Sequence, residues 1–168
     1  MLKFELLKKI NFSSVSEIIF RILANNMSKI APTDNTYEED YNKWFNAVNE
    51  GIKKENRNII LIYINENIIG FFQYYVTNEG LFMMEEIQIS PIYQGKKYNV
   101  FRKLYGYIFT ILPQNIESVE AFVNKKNTKS QEILKHLGLN IIDNSRNENN
   151  YHYRGKFKDL ISWFKNID

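Results

Sequence analysis

The stretch Glu85–Phe109, EEIQISPIYQGKKYNVFRKLYGYIF, passes from a strand-like alternation through one glycine and two lysines into a helical pattern. Tyr98, Val100, Phe101, Leu104, Tyr105, Ile108 and Phe109 recur at helical spacing until Pro113. A strand feeding directly into a helix leaves backbone N–H groups at the junction without intrahelical partners, at the positive end of the macrodipole. Gly95 permits close backbone approach there, and Lys96 and Lys97 add positive charge, so the segment Gln94–Asn99 suits an anion such as a pyrophosphate. The same residues also describe a solvated strand–helix turn, and this piece alone favours that plainer reading.

On the N-terminal side, RNIILIYINENIIGFFQYYVTNEGLFMMEEIQISP is rich in β-branched and aromatic residues, with turn signals at NEN and NEG. Three strands in an antiparallel meander are predicted. Before them, LKFELLKKI reads as a short edge strand, with helix propensity competing. SSVSEIIFRILANNM reads as a first helix with capping serines, Glu17 in the first turn, and Val15, Ile18, Ile19, Ile22 and Leu23 on one face. TYEEDYNKWFNAVNEG reads as a second, capped by Thr36 and stopped at Gly51. Beyond the junction, ESVEAFVN predicts a strand, and NTKSQEILKHLGL a helix capped by Asn127 and closed at Gly138. NIID with NNYHYRGKF predicts a closing strand pair, and DLISWFKNID a short final helix. No internal repeat or Pro/Gly-rich hinge interrupts residues 1–168, so one α+β domain is expected.

Composition narrows the chemistry. The chain holds no cysteine, which excludes thiolate nucleophiles, disulfides and Cys-ligated zinc, and only His136 and His152 as histidines, so no metal site is expected. A formal charge of +3, with lysines dispersed among acids, argues against a nucleic-acid partner. No window supplies the roughly 18 apolar residues of a membrane span, and MLKFELLKKINF has no secretory h-region. A soluble, cytoplasmic protein with no membrane partner is expected.

VNKKNTKSQEILKHLGL follows the next strand at the spacing of a companion segment. With it, the chain resembles the GNAT superfamily of acyl-CoA-dependent N-acyltransferases over almost its whole length. EEIQISPIYQGKKYNVFRKL is similar to the family's acetyl-CoA segment, a strand ending V-x-P-x-[YF]-[QR]-G-x-G-x-[GA] before a helix. NKKNTKSQEILKHLGL is similar to its companion N-x-x-[AS]-x-x-[LF]-Y-x-K-x-G-F. The resemblance implies a three-layer α+β fold: a mixed, mostly antiparallel central sheet, splayed between two central strands and flanked by helices. It implies that Ile87, Gln88 and Ile89 offer main-chain bonds to pantetheine. Gln94, Gly95, Lys96, Lys97, Tyr98, Asn99 and Val100 would surround the pyrophosphate, with Asn127 and Ser130 near the thioester. It also allows a homodimer. The chain departs from the pattern at Lys97 and Asn99, where small residues are usual, and at Leu134, where the family places a tyrosine acid. Lysine can itself neutralise phosphate, and asparagine tolerates unusual dihedrals.

Transfer from a thioester to an amine needs a base for the amine, a donor for the developing oxyanion, and a proton for the thiolate. A backbone N–H near Ile89 is the oxyanion candidate. Glu86 stands where many family members carry a glutamate and is the base candidate, beside the alternative of an ordinary strand carboxylate. Strict alternation sends Glu85 to the opposite face. Tyr151 and Tyr153, on the strand that flanks the acceptor side in the family, are the acid candidates, beside the alternative of sheet packing. Acetyl-CoA is the expected cosubstrate and a small-molecule or peptide amine the expected acceptor. Asp34, Glu38, Glu39 and Asp40 fit an acidic rim for cationic amines or, more simply, acids at a helix N-terminus. Tyr37, Tyr41, Trp44 and Phe45 fit a core stripe or a pocket wall, with core the better reading.

Overall fold

The computed structural model describes residues 1–54, 56–143 and 148–166, with Asp143 described only in its backbone. The three meander strands form as predicted: β2 (Arg57–Ile64), β3 (Asn67–Val76) and β4 (Leu81–Ile89). Asn65 turns the first hairpin at φ 56° and Gly80 the second at φ 81°. β1 (Leu2–Leu6) adds to β2, and β5 (Ser118–Asn124), β6 (Asn140–Asp143) and β7 (Asn150–Lys156) complete a sheet of order β1-β2-β3-β4-β5-β7-β6. Among the described residues, only the β4–β5 pairing is parallel.

Helices α1 (Phe12–Met27) and α2 (Tyr37–Lys54) cover one face around Phe12, Ile19, Val48, Ile52, Ile59, Leu61 and Phe71. Helices α3 (Val100–Ile111), α4 (Thr128–His136) and α5 (Phe157–Lys165) cover the other, where Leu104, Tyr105, Ile108, Leu134, Leu137 and Leu160 meet β3–β5 and β7. The outcome is a three-layer α+β fold.

Two details of the first helices differ from expectation. α1 begins at Phe12, so Glu17 lies beyond its first turn, and its buried face runs through Phe12, Ser16, Ile19 and Phe20, leaving Ile18 46% exposed. Ser16 is accepted on that face because its hydroxyl meets Tyr41 Oη at 2.9 Å. In α2, Gly51 is not a stop: the helix continues to Lys54, and the space a Cβ would occupy holds the Arg57 guanidinium. The α2 start is a capping box, with Thr36 N–H donating to Glu39 Oε2 at 2.7 Å and Glu39 N–H to Thr36 Oγ1 at 3.2 Å.

β4 and β5 pair only from Leu81–Ser118 to Met84–Ala121 and then part, leaving Glu85–Ile89 unpaired on that side. The register of β3 against β4 slips at the same level: Tyr74 pairs Met84 and Gln73 pairs Glu86, so Glu85 is an extra residue. This is a β-bulge, and it changes the phase of the strand. Phe82 and Met84 face α3 before it, and Ile87 and Ile89 pack on that same core after it. Thr36→Ala is expected to lower unfolding free energy by about 1 kcal/mol in urea titration, because it removes one arm of the capping box.

Candidate functional site

The bulge places Glu85 and Glu86 on the same face of the sheet, correcting the expectation that alternation would separate them. Glu85 is held by Arg57 Nε at 2.9 Å and by the Gln73 side-chain amide at 2.8 Å. Glu86 accepts from Gln88 Nε2 at 2.6 Å. Burial pushes the Glu86 carboxyl up to about 7; the Gln88 hydrogen bond opposes this and the neighbouring Glu85 charge adds to it. A carboxyl group titrating near neutrality is matched to general-base work.

Main-chain direction along β4 follows from one bond. Ser90 N–H donates to Ile69 C=O at 2.7 Å, and the antiparallel register then turns the main-chain groups of Glu86, Gln88 and Ser90 toward β3. Ile87 and Ile89 turn theirs toward the gap where β5 has departed. Thus Ile87 and Ile89 can offer main-chain bonds across the splay, whereas Gln88, expected to do likewise, directs its backbone to Phe71 and its side chain to α1.

The splay opens on the α3 side into a cleft of about 590 Å3. Ile87, Gln88 and Ile89 line it, with Gln94, Gly95, Lys96, Asn99 and Val100 from the junction and Asn127 and Ser130 from the start of α4. Gly95 holds φ 95° and has no heavy atom within 4 Å of an ideal Cβ, so glycine serves the dihedral there and not the space. Asn99 enters α3 at φ 49°, the left-handed conformation that asparagine tolerates. α3 has no side-chain cap and no acid in its first turn, which leaves its N-terminal N–H groups suited to an anion. Lys29, Lys96 and Lys129 are among the lining residues, which include no carboxylate. Asn127 caps α4 by accepting from Ser130 N–H at 3.1 Å.

Other expected site residues lie elsewhere. Lys97 Nζ sits 5.3 Å from the Tyr98 ring centroid, and Tyr98 packs edge-on against Tyr93 at 5.2 Å, so neither Lys97 nor Tyr98 lines the cleft. Tyr151 and Tyr153 point to the α3–α4 core. Lys125 Nζ stands 5.2 Å from the Tyr151 ring, while Tyr153 is fully buried, its hydroxyl without a partner among the described residues and its pKa raised by that burial. Neither lines the cleft. Leu134 is buried, so the tyrosine missing from this position is replaced by core packing. His136 is exposed. His152 alternates away from the tyrosines, bonding Glu120 at 3.0 Å and stacking on Phe122 at 4.3 Å.

Two acids in the first turn of α2 serve local structure: Glu39 completes the capping box, and Asp40 accepts from Asn35 at 2.8 Å and from Thr33. Tyr41, Trp44 and Phe45 pack with Phe12 and Phe20, as core. Sequence reasoning missed the end of α1, where Asn25, Asn26, Met27 and Lys29 line the cleft, and Lys129, which donates to Gln94 Oε1 at 2.8 Å. Asn26 continues the buried stripe of Ile19 and Ile22 at helical spacing, and a polar residue on an apolar stripe was the available signal. Among the described residues, no group of three or more His, Asp or Glu could hold a metal, and no helix is long and apolar enough to cross a membrane.

No protein-family model and no curated protein matches this sequence. Solved structures do match it in shape. The PaiA N-acetyltransferase from Thermoplasma acidophilum, in complex with coenzyme A, superposes with a TM-score of 0.67 at 13% identity, covering 93% of this chain and 99% of that one. Spermidine N-acetyltransferase from Vibrio cholerae, in complex with CoA and spermine, gives 0.63 at 17% identity, covering 95% and 98%. A GNAT-family acetyltransferase from Bacillus cereus ATCC 10987 gives 0.59 at 13%, covering 93% and 96%. The chain has the GNAT fold.

With Glu86 titrating near 7 in the native state against an ordinary 4.5, the native protein retains a proton that the unfolded chain releases between those values. Wild-type stability therefore falls as pH rises through that window. Glu86→Gln abolishes the effect, so the variant's stability relative to wild type should grow from pH 4.5 to above 7, by up to about 3 kcal/mol in denaturant titrations.

Proposed function

We propose that this protein is an N-acetyltransferase that moves an acetyl group from acetyl-CoA to a primary amine of a small molecule or peptide, directly, within a ternary complex. The observation that carries this reading is the parting of β4 from β5 after Met84 and Ala121, over a cleft lined by Lys29, Lys96 and Lys129 and by the start of α3, which has no side-chain cap. The residues present fit the coenzyme. Ile87 and Ile89 supply main-chain donors and acceptors along an extended arm, the N–H groups from Gly95 to Val100 face the pyrophosphate, and Lys29, Lys96 and Lys129 balance its charge. The cleft volume lies within the usual range for small-ligand sites.

Glu86 lies on the opposite face of the splayed strand, where an amine could approach the thioester through the gap. In this reading Glu86 takes a proton from the amine, directly or through one water, and the Ile89 N–H stabilises negative charge on the carbonyl oxygen as the carbon–nitrogen bond forms. The carbon–sulfur bond then breaks and the thiolate takes its proton from solvent, since Leu134 has none to give. The two neighbouring acids do not favour a polycation specifically: Glu85 is held by Arg57, and Glu120 by His152 and Arg154.

A second reading, a non-catalytic acyl-CoA-binding relative of the same fold, draws on buried Leu134 and on the distance of both tyrosines from the cleft lining. Calorimetric titration with acetyl-CoA, followed by an amine screen, tests both. Binding with turnover is expected. Gly95→Pro, which cannot adopt the φ of 95° at this position, should abolish binding while the fold is retained. Glu86→Gln should reduce kcat by roughly 100-fold or more and remove the rise of activity with pH centred near 7. Binding without turnover of any amine would favour the second reading, and absence of binding would reject both.

A further inference from the structure

We propose that Asn26 and Gln88 are positioning residues for Glu86, forming a hydrogen-bonded relay whose polarity is set by the main-chain carbonyl of Ile89. This rests on the reading of Glu86 as the base and of the splay as the coenzyme site. Three bonds compose the relay. Asn26 Nδ2 donates to Ile89 C=O at 3.0 Å and to Gln88 Oε1 at 2.8 Å, and Gln88 Nε2 donates to Glu86 Oε1 at 2.6 Å.

A side-chain amide can in principle face either way, but this one has no such freedom. The Ile89 carbonyl can only accept, so Asn26 must turn its NH2 group toward it. That NH2 also reaches Gln88, which must therefore present its oxygen to Asn26 and its own NH2 to Glu86. Gln88 is 8% exposed, and a buried amide left without these partners is costly. The result is that Glu86 always meets a donor, which favours its ionised, proton-accepting form and fixes the direction of one carboxylate oxygen.

The location of the anchor gives the relay its second property. Ile89 is one of the two residues whose main chain faces the splay, and its carbonyl also accepts from Gln94 Nε2 at 2.8 Å. Two side-chain donors fill its two lone pairs. A coenzyme arm that bonds to this carbonyl must displace Asn26 or Gln94, so the strand that carries the coenzyme and the placement of the base share one oxygen atom.

The charged groups on this face are Glu85 with Arg57 from β2, and Glu120 on β5 with His152 and Arg154 on β7. α1 brings Asn26 and, at its end, Lys29, and α2 brings Tyr41, engaged with Ser16. Only the relay places a hydrogen-bond donor on Glu86 among the described side-chain bonds.

The test is a carboxyl 13C NMR titration of Glu86 in the free, full-length protein, comparing wild type with Gln88→Met and Asn26→Ala. Gln88→Met should raise the Glu86 midpoint by roughly one pH unit, and Asn26→Ala should raise it less, by freeing the Gln88 amide to turn. Asn26 lies partly exposed at the end of α1, where alanine is a good helix former, so this variant reports even if Gln88→Met does not fold. In turnover, both should lower kcat by roughly tenfold, with the same upward shift in the pH profile. An unmoved Glu86 midpoint in both variants would overturn the relay. Because the NMR titration needs neither coenzyme nor amine, that failure is distinct from failure of wild type to bind acetyl-CoA, which would reject the functional reading instead.

Discussion

Backbone N–H and C=O groups of a central strand must find partners, and this molecule withholds them from one segment. β4 is paired on both sides as far as Met84 and on one side only thereafter. The unpaired side of Ile87 and Ile89 faces a cleft bounded by the start of α3 and the start of α4. Every other feature of the site is arranged around that edge. Gln94 and Asn26 reach it with side-chain amides, Gly95 and Asn99 take left-handed dihedrals so that the junction can curl beside it, and Lys29, Lys96 and Lys129 line the same cleft.

The bulge at Glu85 decides which carboxylates stand beside this edge. An uninterrupted strand would bury one glutamate toward α3 and present the other to α1. With one residue inserted, both carboxylates emerge on the α1–α2 face, and they are distinguished by their partners. Glu85 is neutralised by Arg57 across the sheet, while Glu86, among the described side-chain bonds, receives only an amide and is pushed up to about 7 by burial. Two adjacent residues of one type thus acquire different environments, one ion-paired and one buried with its pKa raised.

Much of this was legible in the sequence because its periodicities are strong. The meander followed from β-branched runs between NEN and NEG, and the α4 cap from Asn127 ahead of an apolar stripe. The junction followed from a strand running through Gly95 into a helix. What was not legible depended on long-range contacts. Gly51 resembled a helix stop until Arg57, from the next strand, was seen to fill the space above it. The serines that open SSVSE read as caps, yet Ser16 lies on the buried face of α1, where Tyr41 supplies its partner. The bulge had a sequence trace, a phase change from Phe82 and Met84 to Ile87 and Ile89, but two consecutive glutamates masked where the phase slipped. Tyr151 and Tyr153 alternated correctly, yet the face they share turned out to be core, which strand pattern alone cannot distinguish from a pocket wall.

The central claim is that the unpaired edge of β4 receives an acyl-CoA, and its most direct test is amide NMR of the labelled protein during titration with acetyl-CoA. The account predicts that the largest shifts fall on the N–H groups of Ile87 and Ile89 and on those from Gly95 to Val100, with the Gln88 N–H, turned toward Phe71, much less affected. Shifts concentrated elsewhere, or equal on Gln88 and its two neighbours, would contradict it.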